Sequence, residues 1–358
     1  MATLTIDQIS KSFGSIQALN KITFECQDGE FLVIVGPSGA GKTTTLNCIA
    51  GIEYPESGSI FIDGKDVTMT DPKDRDVAMV FETYALYPQY SVYDNLAFPL
   101  KSPLHALPKD EIEQRVRQVA QVLSIDMLLN RLPRQLSQGQ RQRVSLGRAL
   151  VRQPKLYLFD EPISHLDAKL RNAMRRELKL MRSNLGQTTI YVTHDYLEAL
   201  SLADRVVVLI KGEVLQYDQV RNVYNHPAAV EVGQLFGELP MIFFNGTIND
   251  DLDFRDESEK FSVKTGESSD HLVCGQSVIL ALRPTDLQLV PFENGELKGE
   301  VYSVQYQFGS KLVTVSAYDH LIDVVAPANL SIESGDKAGV QVRPEVCFFF
   351  DQETHRSI

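Results

Sequence analysis

The chain has 358 residues, a formal net charge of −12 and four scattered cysteines. That length exceeds one ordinary core and predicts about two domains of roughly 150 to 200 residues. The acidic balance disfavours a broad nucleic-acid footprint, and Cys26, Cys48, Cys274 and Cys347 lack the C-x-x-C spacing of a zinc or disulfide framework, which suits a reducing cytosol. The opening MATLTIDQIS has no basic segment followed by an apolar one, and no stretch approaches the ~18 apolar residues of a membrane span. Action at a membrane would therefore run through a docking partner.

Residues 3–9, with Leu4, Ile6 and Ile9, and residues 22–26 predict antiparallel edge strands with one buried face. Phe13 between them has two readings, a core aromatic or a π-face for a nucleotide base. Residues 31–51 follow as a buried strand (FLVIV), a glycine-rich turn (GPSGAGKT) and a helix ending at Gly51. Gly36, Gly39 and Gly41 permit φ values closed to other residues, so the backbone N–H groups of the turn converge on phosphate oxygens at a helix N-terminus. Lys42 then places a charge on the β/γ phosphates and Thr43 offers a hydroxyl to Mg²⁺. Gly36, Pro37, Ser38, Gly39, Ala40, Gly41, Lys42, Thr43 and Thr44 thus form the candidate nucleotide cradle.

Residues 59–67 predict a hairpin turning at Asp63-Gly64, and residues 76–80 a further strand. Residues 92–152 differ: three prolines punctuate, then Ile112, Val116, Val119 and Leu123 recur at helical spacing. This predicts an inserted helical subdomain, closing with LSQGQRQRVSLGRAL, in which Ser137 is an N-cap.

KLYLFDE (155–161) is an apolar strand ending in two carboxylates, at the sheet edge where α/β folds bind ligands. Asp160 is placed to hold Mg²⁺, directly or through water, and Glu161 to polarise a water for attack on the γ-phosphate; the competing reading is a helix cap. Residues 167–184 predict an amphipathic helix and 188–193 a strand, with His194 at its end. That position puts His194 on the same sheet edge as Gly36 and Glu161, although a lone His is as readily structural. A hairpin over 203–217 and helical sequence to about 236 complete this part. From 241 onward short strand candidates, separated by Asn245-Gly246, Asn294-Gly295, Gly309-Ser310 and Gly335-Asp336, predict an all-β, barrel-like second domain.

Taken together these residues resemble the ATPase subunits of ABC transporters, most closely those of carbohydrate and sn-glycerol-3-phosphate importers, over the whole chain. The resemblance implies ATP and Mg²⁺ as cofactors, adenine stacking by Phe13, a signature formed by Ser137, Gln138, Gly139 and Gln140 that meets the partner chain's ATP, Asp160 and Glu161 as the Walker B pair, a D-loop from Ser164 to Asp167, and His194 as the switch histidine beside catalytic Glu161. It also implies Glu82 as a metal ligand in the loop that usually begins with Gln, and Gln138 where the signature usually has Gly. AMVFETYALYPQYSVYDNLAFPL resembles the segment that, with the helical subdomain, receives a coupling helix from membrane subunits.

The expected fold class is therefore α/β, a P-loop NTPase with a RecA-like core, an antiparallel β subdomain and the helical insertion, over residues 1–235. An all-β regulatory and dimerisation domain of small OB-type barrels is expected over 236–358. The expected function is ATP hydrolysis driving carbohydrate import at the cytoplasmic membrane face, with two permeases, a second ATPase chain (identical, or different in a heterodimer) and, indirectly, a solute-binding protein. Import of a polyamine or ferric iron, or a soluble ATP-switched regulator, are the rival readings; nucleic acid is not an expected partner.

Overall fold

The computed structural model describes residues 2–81, 83–102, 107–164, 166, 168–266, 271–307 and 309–358. The chain divides into two compact units, Met1–Arg221 and Asn222–Ile358.

In the first unit, β1 (Leu4–Phe13) and β2 (Ile16–Cys26) pair antiparallel, and β3 (Phe31–Val35) leads into α1 (Lys42–Ala50). A hairpin of β4 (Ser57–Ile62) and β5 (Lys65–Asp66) turns at Asp63 and Gly64, both with positive φ, as a two-residue turn matched to strand twist requires. β4 pairs with β1, placing Leu4 opposite Ile62. The four-stranded sheet runs β2-β1-β4-β5, so β1 is an interior strand and not the edge strand its sequence predicts. The buried Ile60 and Ile62 of the hairpin extend the face begun by Leu4 and Ile6, a contact that strand periodicity alone does not reveal.

After β6 (Val77–Val80) the chain enters the helical insertion: α2 (Val92–Ala97), α3 (Lys109–Val122) and α4 (Gln138–Leu150). α3 buries Ile112, Val116 and Ala120, and Gly147 of α4 lies so close to Leu96 and Leu123 that a Cβ would be 2.8 and 3.0 Å from their methyls. α4 also grips the loop after β6. The Ser145 hydroxyl donates to Tyr84 O (2.8 Å) and the Arg148 guanidinium to Ala85 O (2.6 Å). Tyr84 and Ala85 are both in the left-handed region, a local cost that such side-chain anchors offset.

β7 (Leu156–Asp160), α5 (Ala168–Leu185), β8 (Thr189–Thr193), α6 (Tyr196–Leu202), β9 (Arg205–Ile210) and β10 (Glu213–Gln219) complete a six-stranded sheet ordered β10-β9-β3-β8-β7-β6. All its pairings are parallel except β9 with β10. Every residue of β3, β7 and β8 is buried, as expected of parallel strands covered on both faces. The short helix α6 is absent from the sequence-based expectation; its N-cap is Asp195, whose Oδ1 accepts the Leu197 N–H at 2.8 Å.

Arg75 stabilises the far end of α1. Only 2 % exposed, it donates Nη1 to Cys48 O and Ile49 O (2.7 and 2.9 Å), Nε to Thr70 O (2.8 Å) and Nη2 to Thr68 O (2.9 Å). A cation at a helix C-terminus complements the macrodipole and satisfies its last carbonyls. Gly51, the C-cap at φ 79, is required twice: by its backbone angle, and because a Cβ would sit 2.6 Å from Arg75 Nε.

The division between units falls within α7 (Val220–Asn225), before the expected boundary at 235. α8 (Val230–Leu235) belongs with the second unit because Val230 packs with Met241, Ile279, Ala281 and Phe350. Buried Arg283 also ties that segment down, donating to Phe236 O and to Tyr224 O. Strands β11 (Ile242–Ile248), β12 (Phe254–Asp256), β13 (Ser262–Val263), β14 (Ser277–Leu282), β15 (Gln288–Val290), β16 (Leu297–Gln307), β17 (Ser310–Ala317), β18 (His320–Pro327), β19 (Lys337–Gln341) and β20 (Phe348–Asp351) form two antiparallel five-stranded sheets. Their orders are β13-β12-β11-β14-β20 and β15-β19-β16-β17-β18, and both contribute to one core that includes Phe244, Leu280, Val301 and Val313. Asn245-Gly246, expected as a separator, lies inside β11. Glycine is needed there because the Phe254 ring and the Arg255 carbonyl occupy the space of a Cβ.

Replacing Arg75 with Met removes the donor from four carbonyls, of which Cys48 O keeps the Gly51 N–H, and is expected to cost about 3 kcal/mol or more. Urea denaturation of the full-length chain checks this; a loss below about 1 kcal/mol would mean that water replaces the guanidinium.

Candidate functional site

The carboxyl ends of β3, β7 and β8 bring together residues far apart in sequence. β3 and β8 are neighbours, as are β7 and β8, so the glycine-rich loop, the acidic pair and His194 emerge side by side. Gly36 passes so close to the Leu209 carbonyl of β9 that no Cβ fits. Gly39 and Gly41 have φ of 77 and 102, and Gly41 is the N-cap of α1. Pro37, Ser38 and Gly39 are exposed, Ala40 is buried and Thr44 is half-buried.

Lys42 is 6 % exposed; its Nζ donates to Pro37 O at 3.0 Å and lies 3.8 Å from Glu161 Oε1. The Thr43 hydroxyl donates to Asp160 Oδ1 at 3.2 Å. Glu161 Oε2 is 2.8 Å from His194 Nδ1. One carboxylate therefore faces the loop lysine with one oxygen and the histidine with the other. Glu161 is not merely a helix cap. It has φ 44, unusual for a residue with a side chain, and is held there by its N–H donating to Val192 O (3.0 Å) and its carbonyl accepting from the Ser164 hydroxyl (3.0 Å).

Thr43 and Asp160 supply two hard oxygen donors. Among the described residues no group of three His, Cys, Asp or Glu forms a self-sufficient metal site. Two protein oxygens beside a phosphate loop nevertheless fit Mg²⁺, which takes one or two protein ligands and completes its shell with phosphate and water.

Ser137 and Gln140 form a reciprocal capping box at the start of α4: Ser137 Oγ accepts from Gln140 N–H (3.3 Å) and Gln140 Oε1 from Ser137 N–H (3.0 Å). Gln138 is exposed at the first position of that helix, and Gly139 follows half-buried. Phe13, at the end of β1, is 47 % exposed, with Lys11 Nζ 5.2 Å from its ring, so it is not a core aromatic. Glu82 and Asp167, both singled out from sequence, lie outside the described residues.

Two groups around the site carry no sequence motif. Arg171 of α5 donates to Ser164 O (3.1 Å) and Leu166 O (3.0 Å) and lies 4.0 Å from Asp195 Oδ2; only its place one turn into an otherwise amphipathic helix sets it apart. Glu198 of α6 accepts the Tyr191 hydroxyl at 2.8 Å. A carboxylate at an inward-facing helix position was the signal that could have found it.

A parallel strand, a glycine-rich turn ending in Lys-Thr and an acidic pair at the end of a nearby strand define a P-loop nucleotide-binding protein. The sequence profile of the ABC transporter family matches residues 19–164. The trehalose/maltose import ATP-binding protein MalK of Thermococcus litoralis is 47 % identical over 84 % of this chain and 82 % of that protein. The oligosaccharides import ATP-binding protein MsmX of Bacillus subtilis is 42 % identical over 99 % of both. Among solved structures, the dimeric bacterial ABC transporter cassette MJ0796 is 31 % identical, covering 61 % of this chain and 99 % of its own with a TM-score of 0.56. The chain belongs to the ABC transporter family, as an ATP-binding and ATP-hydrolysing subunit.

Burial raises the pKa of Glu198, opposed by the nearby Thr193 and Tyr191 hydroxyls, with Asp195 raising it and Arg175 lowering it. A carboxyl whose folded pKa is raised binds more protons folded than unfolded, so its contribution to stability falls as pH rises from the ordinary glutamate value of about 4.5 toward the folded pKa. Glu198→Gln is therefore expected to flatten the decline in melting temperature as pH rises above about 5. An unaltered profile would mean that Glu198 ionises in the fold as freely as in the unfolded chain.

Proposed function

We propose that this chain powers the import of a carbohydrate, or a related polyol or sugar phosphate, by hydrolysing ATP beneath partner membrane permeases. The observation that carries the reading is the convergence of Lys42, Thr43, Asp160, Glu161 and His194 at one sheet edge, in a chain aligned almost end to end with an oligosaccharide-import relative. Phe13 offers an exposed ring to adenine. Gly36 to Thr44 wrap the phosphates, and Lys42 exchanges its contact with Glu161 for the β/γ oxygens. Thr43 and Asp160, with Glu82, hold Mg²⁺, which supplies charge neutralisation for the phosphates. Glu161 then accepts the proton of the attacking water, and His194, fixed on Glu161 through Nδ1, presents its other ring nitrogen toward the γ-phosphate.

The second half of each site comes from another copy of the chain. Ser137 Oγ accepts a hydrogen bond from its own helix, which leaves its proton for a phosphate oxygen across the interface, and the start of α4 adds the N-terminal end of a helix dipole. Gln138 keeps a side chain at that surface where the family usually has none, and Ser164 and Asp167 complete the junction. Loss of the γ-phosphate on hydrolysis removes the bridge and lets the pair open, which moves the permeases.

A groove of about 340 Å³ lined by Met79, Tyr87, Phe98 and Arg148, among others, suits an amphipathic coupling helix from a permease. The second unit is the regulatory and dimerisation domain, of small OB-type barrels: it has two antiparallel sheets and none of the phosphate-binding motifs. No helix among the described residues is long and apolar enough to cross a membrane. The proposed attachment is peripheral, to permeases at the cytoplasmic face. An extracytoplasmic binding protein chooses the solute.

Lys42→Ala and Glu161→Gln should fail differently in the full chain reconstituted with its permeases in vesicles. Lys42→Ala weakens ATP binding, whereas Glu161→Gln keeps ATP bound while turnover and uptake fall by roughly 10² to 10⁴-fold. Equal loss of ATP affinity in both variants would overturn the assignment. Uptake of a polyamine or ferric iron, and not of a sugar, would overturn the cargo.

A further inference from the structure

The side chain of the switch candidate His194 is held by a hydrogen bond from Nδ1 to Glu161 Oε2 at 2.8 Å. It is 57 % exposed and forms a one-residue junction between the last residue of β8, Thr193, and the N-cap of α6, Asp195. A hydrogen bond to Glu161 sets one ring nitrogen, but with so much of the ring in solvent its direction must come from the backbone beneath it.

That backbone is bracketed by two side-chain hydrogen bonds between β8 and the start of α6. Tyr191, fully buried on β8, donates its hydroxyl to Glu198 Oε2 at 2.8 Å. Glu198 itself is 2 % exposed on α6, so this bond ties the helix to the strand from within, and Thr193 Oγ1 accepts the Asp195 N–H at 3.0 Å. The last bond passes over residue 194, joining the peptides on either side of it. On the outer side, Arg171 lies 4.0 Å from Asp195 Oδ2. The charged and titratable groups around Glu198 are Tyr191, Asp195 and Arg175.

A carboxyl group is a costly choice at a buried helix position that an apolar residue would fill more cheaply, because burial penalises its charge. What it provides here is reach: it joins strand and helix on both sides of the histidine and leaves no slack in the turn. We infer that Glu198 is a positioning residue for the hydrolytic step: by tying α6 to β8 through Tyr191 it acts, together with the Thr193 bond to the Asp195 N–H, to fix the direction in which His194 faces Glu161 and the γ-phosphate. This rests on the role proposed above for His194. A misplacement of about 1 Å in a reacting group can cost on the order of 100-fold in rate.

The test uses the full chain assembled with its permeases, measuring ATP affinity and turnover separately. Glu198→Gln keeps shape but replaces one acceptor oxygen by a donor; Thr193→Val keeps shape but removes the hydroxyl; Thr193→Ser keeps the hydroxyl. Glu198→Gln and Thr193→Val are expected to lower kcat by roughly 10- to 100-fold with ATP affinity within about two-fold of wild type. Thr193→Ser should retain most of the turnover. A core residue with only a packing role would instead lower melting temperature without a selective loss of kcat, and would not be rescued by the hydroxyl. His194→Ala separates this inference from the reading beneath it. If His194→Ala turns over normally, the histidine's role is wrong and the inference falls with it. If His194→Ala is impaired while folded Thr193→Val or Glu198→Gln turns over at the wild-type rate, only the positioning role is overturned. Adding Glu198→Gln to His194→Ala should produce no further loss; a multiplied loss would show that Glu198 acts elsewhere.

Discussion

The two oxygens of Glu161 set the geometry of the site. One faces Lys42 at 3.8 Å and the other faces His194 at 2.8 Å, so a single carboxylate links the glycine-rich loop of β3 to the end of β8. This works only because β7 ends at Asp160 and the next residue turns through a left-handed angle that directs the side chain across the sheet edge. Asp160 meanwhile stays buried and pairs with Thr43. Two adjacent carboxylates thereby take two environments, one closed and facing a hydroxyl, the other half-open between two bases. Parallel order β3-β8-β7 is the precondition, since it sets the strand that ends at the histidine between the strands that lead to the lysine and to the acid, and all three end on the same side of the sheet.

Much of this was legible because the motifs are local. GPSGAGKT contains its own turn chemistry, and KLYLFDE states both its strand and its reactive end within seven residues. The helical insertion was readable from the four-three-four spacing of Ile112, Val116, Val119 and Leu123. Long-range pairings were not. The interior place of β1 depends on a hairpin some fifty residues later, and Gly246 reads as a turn until Phe254 is seen packed against it. Glu198 and Arg75 belong to the same class: each is a polar residue whose purpose is set by atoms contributed from another element, so no window of sequence contains the reason for it.

The second unit is fastened from within by a comparable device. Arg283 follows β14 and donates to the carbonyls of Tyr224 and Phe236 while its guanidinium lies 4.0 Å from the Tyr224 ring centroid. A planar cation with several donors can bond two segments and stack on a ring at once, which Lys cannot do. The irregular stretch around α8 thereby becomes part of the β unit, and the compositional change near residue 236 marks the start of the strands and not the start of the domain.

The grip of α4 on the loop after β6 also has a mechanical meaning. Ser145 and Arg148 hold two consecutive carbonyls, Tyr84 O and Ala85 O, on residues that are both in the left-handed region. Arg148 also lies against Tyr87, 5.3 Å from its ring centroid. The helix that begins at Ser137 and the segment two residues beyond position 82 are thus joined as a crank is joined to its rod, without a compliant link between them. A few degrees of tilt in α4 becomes displacement of that segment in the same stroke, and a load applied to the segment returns to the helix with equal directness.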